Sequence, residues 1–514
     1  MIKTLFCSST SAAFEWKNNL PYYSEKEYVA RINGEIAYKG NTNVFSAFNL
    51  QPNSSYVLTI DGFDFSLEFK TECESAAINV RDFGAIGDGV HDDFIAVQTA
   101  INCIPKGGRL YFPVGTYLVA PLNLKSNITL DLAKGATILG TTDRSRYPVI
   151  PGSVFDIANG NEHYFGTWEG NAVTMHQALI CAEYVENIKI VGQGVIDGNA
   201  QNSTWWIDVK KQPHGRPRLF FANRCENIAL HGITVQNAAS WQLHPYFSKN
   251  LQFIDLSIFA PKDSPNTDAL DPEACDNVDI IGCKFSVGDD CIAIKSAKID
   301  IGRKLKTPAS RHTIRNCIME HGHGAITLGS EMSGGVVDLT VNRCVFNKTD
   351  RGLRIKTRRG RGKYAVIDGV LFENIKMKSV LTPIVINMWY NCCDPDRYTE
   401  YVWSREKFLV DERTPRLGDF VFRDMLCEDC EVAACYCDGL PEAPIESIAL
   451  ENIVFTFTED ANPACPAMRN HMETFCRSGM YFDNVKKLTI KNVKVCNQIG
   501  EDLIAKNVEK LIKK

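Results

Sequence analysis

The sequence predicts an all-β protein: a right-handed parallel β-helix preceded by a small β-sandwich. Two observations carry this. A short motif of asparagine followed by alternating apolar residues recurs as Asn187-Ile188-Lys189-Ile190-Val191-Gly192, Asn227-Ile228-Ala229-Leu230-His231-Gly232 and Asn277-Val278-Asp279-Ile280-Ile281-Gly282. A degenerate copy starts at Asn250-Leu251, giving intervals of 40, 23 and 27 residues, and later copies begin at Asn374 and Asn452. Strands at such a period build a stacked solenoid, because one coil cannot bury its own apolar face and needs coils above and below it. Leucine-rich repeats share the period, but their leucine ladder is missing. The second observation is that the repeat starts only after about residue 75, so the earlier segment forms its own unit.

Composition bounds the rest. Of 514 residues, 45% are apolar and 23% charged, which fits a globular chain and excludes a disordered one. A net charge of −5, from 56 basic and 61 acidic residues, argues against a general nucleic-acid binder. No apolar run is long enough for a membrane-spanning helix. Residues Met1 to Trp16 offer only a stub of apolar residues before Ser8, and the 19 cysteines are scattered through a long chain. Both features point to reduced thiols in a cytoplasm; the alternative is secretion, with Ser11-Ala12-Ala13 as a divergent cleavage site.

Residues 1–75 read as the sandwich and 76–514 as the β-helix. Alternation appears in Tyr28-Val29-Ala30-Arg31-Ile32 and Tyr56-Val57-Leu58-Thr59-Ile60, with turns at Asn33-Gly34 and Asp61-Gly62. The segment Leu50 to Tyr56 resembles the tyrosine corner of fibronectin type III domains, which would place Trp16 in the core. Another all-β topology is the alternative. Phe83 to Gly89 is a glycine-rich turn without the lysine or the spacing of a phosphate-binding loop. Asp92 or Asp93 is expected to cap a helix over Phe94 to Cys103 that closes one end of the solenoid.

In a solenoid, residues one coil apart become neighbours about 4.8 Å apart. Four polar clusters recur at coil spacing: Asn266-Thr267-Asp268, Gly288-Asp289-Asp290, Gly322-His323-Gly324 and Arg354-Ile355-Lys356. Gly288 would permit the bend that turns both neighbouring aspartates into one groove. Three close carboxylates drive their proton affinities apart, leaving one as an acid and others as bases, the equipment of glycoside hydrolysis. Arg354 and Lys356 share a strand face and suit a carboxylate ligand; His323 between glycines can hold the acid. Cys427, Cys430, Cys435 and Cys437 have spacing that could hold zinc, yet small residues also suit a solenoid interior; no metal and no cofactor is expected.

These four motifs, and the stretch Gly322 to Ser330, resemble glycoside hydrolase family 28, the polygalacturonases, from Ile78 onward. With the sandwich in front, the chain looks most like bacterial exo-acting members, and the resemblance implies a pectin-lyase-like β-helix. It implies inverting hydrolysis of α-1,4-linked galacturonic acid in polygalacturonan or oligogalacturonides, with Asp289 as donor and Asp268 and Asp290 activating water. His323 would support the donor, and Asn266, Arg354, Lys356 and Tyr390 would bind substrate. Inversion would set Asp289 roughly 6.5–9.5 Å from the bases. Alternatives are a xylogalacturonan or rhamnogalacturonan hydrolase, a pectate lyase, or a non-catalytic carbohydrate-binding solenoid. Neither nucleic acid nor membrane is an expected partner.

Overall fold

A computed structural model describes residues 2–391 and 399–514. Its main body is a parallel β-helix with three rows of strands. The first row stacks Gly108–Phe112, Ile128–Leu132, Glu186–Gly192, Glu226–His231, Lys249–Ile254, Asp276–Ile281, Ala309–Arg315 and Val336–Asn342. A second row of shorter strands follows it through the coils, from Gly115–Val119 to Val345–Asn347. The third row runs from Leu122–Asn123 through Leu243–Tyr246, narrows to single bridges at Leu270 and Glu273, and widens again through Ile292–Ile294, Ile326–Gly329, Arg351–Lys356, Thr382–Asn387 and Ala433–Asp438. No helix among the described residues is long and apolar enough to cross a membrane.

The repeated asparagine has a backbone cause. Asn127, Asn187, Asn227, Asn250 and Asn277 all adopt left-handed φ of 56–63°, which asparagine tolerates better than most residues. From Asn187 onward each amide donates to the Oδ1 of the asparagine one coil earlier, at 2.9–3.1 Å. The ladder links the coils from Asn127 to Asn277, and the isoleucines and leucines that follow each asparagine stack into one apolar interior. Cys427, Cys430, Cys435 and Cys437 belong to that interior, where burial raises their thiol pKa values.

The N-terminal end differs in detail from expectation. The helix Phe94–Cys103 forms, but its N-cap Asp93 does not cap it by side chain. Its carboxylate instead accepts from Ile86 N–H (2.7 Å) and Gly87 N–H (2.9 Å), closing the glycine-rich turn, while Asp92 takes Phe94 N–H at 3.1 Å. In front lie antiparallel sheets of three strands (Ile2–Cys7, Ala12–Trp16, Val44–Ala47) and four (Glu35–Thr42, Tyr23–Ile32, Ser55–Ile60, Ser66–Lys70) around their own apolar core. Tyr56 Oη accepts from Gln51 N–H at 2.8 Å. Trp16 is half-buried, packed at the edge of that core against Tyr28 and Phe63.

One buried carboxylate ties the two parts together. Glu15 has no exposed surface; Arg343 donates to it at 2.7 Å, Arg315 at 3.0 Å and Asn316 at 2.8 Å. Burial favours its neutral form, but these cations outweigh it and hold the carboxyl below its usual range. Removing one partner of such a pair costs about 3–5 kcal/mol. Glu15→Gln is therefore expected to loosen the sandwich: hydrogen exchange should rise across residues 2–70 while the coils beyond Arg343 keep their protection.

Candidate active site

The third row builds the site where its strands are interrupted. Backbone bonds lead from coil to coil: Ala269 N–H to Asp290 O (3.1 Å), Cys291 N–H to Gly324 O (2.9 Å), Ala325 N–H to Arg351 O (2.8 Å). Asp268, Asp290, the His323 turn and Arg354 thus occupy successive coils, as the spacing predicts. The chain bends at Gly288-Asp289, bringing both aspartates to one side. Gly288 is needed there for room: a Cβ would lie 2.4 Å from Ser264 O. Gly324 is needed for the same reason, since a Cβ would sit 2.9 Å from Asp290 Oδ1.

One oxygen from each of Asp268, Asp289 and Asp290 lies within 4.8 Å of the other two. That is tighter than the roughly 6.5–9.5 Å expected of an inverting pair and nearer to the roughly 5–5.5 Å of a retaining one. The cause is that Asp289 and Asp290 are consecutive in one coil and Asp268 lies in the coil directly before it. Asp290 is buried and accepts from Arg354 Nη1 at 3.0 Å and Lys356 Nζ at 2.8 Å. Burial alone would raise its pKa, but the two cations overcome it and hold Asp290 ionised well below the usual carboxylate range. Asp268 is the opposite case. Burial, reinforced by Asp271 and Asp289, raises it well above that range. The trio thus contains one carboxylate kept charged and one kept neutral, the split that close acids require.

Asp289 keeps 21% of its side chain exposed and meets His323 Nδ1 at 3.1 Å. That hydrogen bond, against some desolvation, raises the His323 pKa above 6.5. Asn266, at φ 54°, accepts from Arg216 at 2.6 Å. Tyr390 lies beside Lys356, whose Nζ is 5.8 Å from the ring centre. Every candidate from the sequence is therefore in or next to one patch. Arg354 and Lys356 differ from expectation in one respect: both cations are turned onto Asp290, so their first electrostatic task lies within the protein.

Sequence reasoning missed the walls. The hairpin Thr167–Ala172 places Trp168 on Trp241, with ring centres 5.5 Å apart at 14°, and Trp241 lies 4.5 Å from Lys295 Nζ, itself 3.8 Å from Asp268. On the far side Met468 meets Arg354, Arg351 donates to Cys465 O and Pro466 O, and Asn387 donates to Met468 O at 2.9 Å. Neither segment carries the repeat, so no periodic signal pointed to them.

Among the described residues, the aspartate trio is the group whose ligand atoms are close enough to share a cation. Arg354 and Lys356 already neutralise Asp290, so activity is expected to survive excess EDTA unchanged; loss of turnover that added calcium restores would contradict this. For His323, protection by Asp289 means that a function needing the imidazolium is complete below pH 6.5 and fades as pH rises through the raised value. His323→Gln should remove that alkaline limb from the kcat profile and lower kcat by about 10²-fold.

The glycosyl hydrolases family 28 model matches residues 122–399, and the chain belongs to that family. A probable polygalacturonase of Vitis vinifera is 30% identical over 399 residues, 76% of each chain. Among solved structures, a family 28 exopolygalacturonase of Yersinia enterocolitica superposes with a TM-score of 0.73, covering 100% of this chain and 98% of its own at 19% identity, a likeness of fold alone. A hyperthermoactive exopolygalacturonase of Thermotoga maritima, 26% identical, superposes with a TM-score of 0.63 over 81% of this chain and 91% of its own. The protein is a family 28 glycoside hydrolase with a β-helix.

Proposed function

We propose that the protein hydrolyses α-1,4-galacturonosidic bonds of polygalacturonan or oligogalacturonides from one chain end, with inversion. The observation that carries the hydrolytic reading is the split trio. Asp290, fixed as a carboxylate by two cations, is suited to orient the attacking water while Asp268, once ionised, takes its proton; Asp289, partly open and joined to His323, is suited to deliver one to the leaving oxygen. Asp290 is a poor covalent nucleophile because both oxygens are held by cations, which supports water attack despite the short spacing. Asp268 completes the water site. Arg354 and Lys356, two cations against the single charge of Asp290, leave positive charge that suits a uronate, and Asn266 and Tyr390 beside them are suited to sugar hydroxyls.

Support for exo action comes from the two walls. The Trp168 hairpin flanks the coils before Asp268, and residues 465–470 flank those after Arg354, so a long polymer has little room to lie across. The free thiols among the described cysteines support a reducing compartment, and with it a diet of imported fragments.

Chromatography of a long oligogalacturonide digest is the test: galacturonic acid should be the sole early small product. A spread of mid-length products would contradict end-wise attack, and unsaturated products absorbing in the ultraviolet would indicate a lyase. Proton NMR of the first-formed anomer should show inversion; retention would mean that the short carboxylate spacing does support a covalent intermediate. Asp289→Asn is expected to lower kcat by several orders of magnitude with binding retained.

A further inference from the structure

Behind the trio lies a second layer of charge that the motifs do not include. Lys295 is 3% exposed, at the end of the third-row strand Ile292–Ile294, and bridges to Glu273 one coil earlier. Its Nζ lies 3.3 Å from Glu331 Oε2, 3.8 Å from Asp268 Oδ2 and 3.9 Å from Asp271 Oδ2, with the Trp241 ring centre 4.5 Å away. Asp271 is fully buried, and neither of its oxygens has a hydrogen-bond partner. An ammonium has three protons to place, and this one faces three carboxylates, one of them from the trio.

The lysine is held in place from several sides. Glu331 accepts from Ser330 Oγ at 2.8 Å, and its backbone carbonyl takes Ser296 N–H at 2.6 Å. Gly170 of the Trp168 hairpin presses on it so closely that a Cβ there would lie 2.9 Å from Glu331 Cγ. Glu273 meets His244 at 3.0 Å, and Arg218 lies over Trp241 at 4.3 Å. Asp268 in turn faces Lys295, Asp271, Asp289, Asp290 and the more distant Arg216. A long flexible side chain in such a cage has one position, and that position faces Asp268.

We propose that Lys295 is a positioning residue for the hydrolytic reaction, fixing the Asp268 carboxylate toward Asp289 and Asp290 and supplying the charge against which Asp268 releases its proton to solvent, so that the ionised carboxylate can then accept a proton from the attacking water. Asp271 and Glu331 anchor the lysine from behind and keep it from displacing Arg354 or Lys356 at Asp290. This rests on the hydrolytic role given to the trio above. Burial and its acidic neighbours push Asp268 toward the neutral form, and Lys295 is a cation working in the other direction. Without it, Asp268 would hold its proton more firmly and the cluster would lose its main counter-charge outside Arg354 and Lys356.

The test is the pH dependence of kcat on a galacturonan oligomer that the wild-type enzyme cleaves. Lys295→Met should move the acidic limb upward by about one pH unit or more, since one unit is the scale of a lost close charge in a buried site. It should lower kcat by about 10²-fold while KM changes less than about threefold, because the group acts on the water step and not on sugar binding. Lys295→Arg should restore the wild-type limb with part of kcat. Should the methionine variant not fold, Glu331→Gln carries the test with the opposite sign: removing a competing anion strengthens Lys295 at Asp268 and moves the acidic limb downward. A Lys295→Met or Glu331→Gln profile superimposable on that of wild type would overturn the proposal, as would a methionine variant whose loss lies in KM. A wild-type enzyme that cleaves no galacturonan would instead overturn the hydrolytic reading.

Discussion

The site depends on one constraint, the pair of cations that Arg354 and Lys356 place on Asp290. Three carboxylates packed this tightly cannot all be charged, and without a bias the proton would spread over them. Two positive groups on one member remove that freedom. Asp290 stays ionised, the proton is driven to its neighbours, and acid and base are separated before any substrate arrives. The surrounding layer amplifies the bias, because burial weakens the competing interaction with water.

The β-helix makes this arrangement possible. Arg354 and Lys356 alternate with the buried Ile355, so the strand that anchors them in the core also fixes their shared direction. The glycines at 288, 322 and 324 let neighbouring coils touch where any Cβ would collide. The asparagine ladder runs up to the coil that carries Asp289, and the parallel register of the strands beyond it sets polar residues at coil spacing one above another. Rigidity matters here, since a misplacement of about 1 Å in such a constellation can cost about 10²-fold in rate.

Much of this was legible in the sequence because a solenoid converts spacing into position. Asn187, Asn227, Asn250 and Asn277 marked the coils, and Asp268, Asp289, His323 and Arg354 then had to converge. Three kinds of feature were not legible. The separation of the carboxylates depended on direct contact between coils, which a motif does not encode. Asp92 or Asp93 read as the helix cap; Asp92 takes Phe94 N–H, whereas the Asp93 carboxylate meets the turn at Ile86 and Gly87, which competes for its oxygen atoms. Trp168 and Met468 lie in insertions without the repeat, and Lys295 lies outside the four motifs. Its register with Glu273, one coil earlier, is a feature of the folded strand rows.

The most direct measurement is neutron diffraction of the deuterated enzyme at about pH 5, above the ordinary carboxyl range. A deuteron on Asp268 and none on Asp290, with Arg354 and Lys356 both donating to Asp290, is the expected result. A deuteron on Asp290, or an Asp268 carrying none, would contradict the division of charge within the trio.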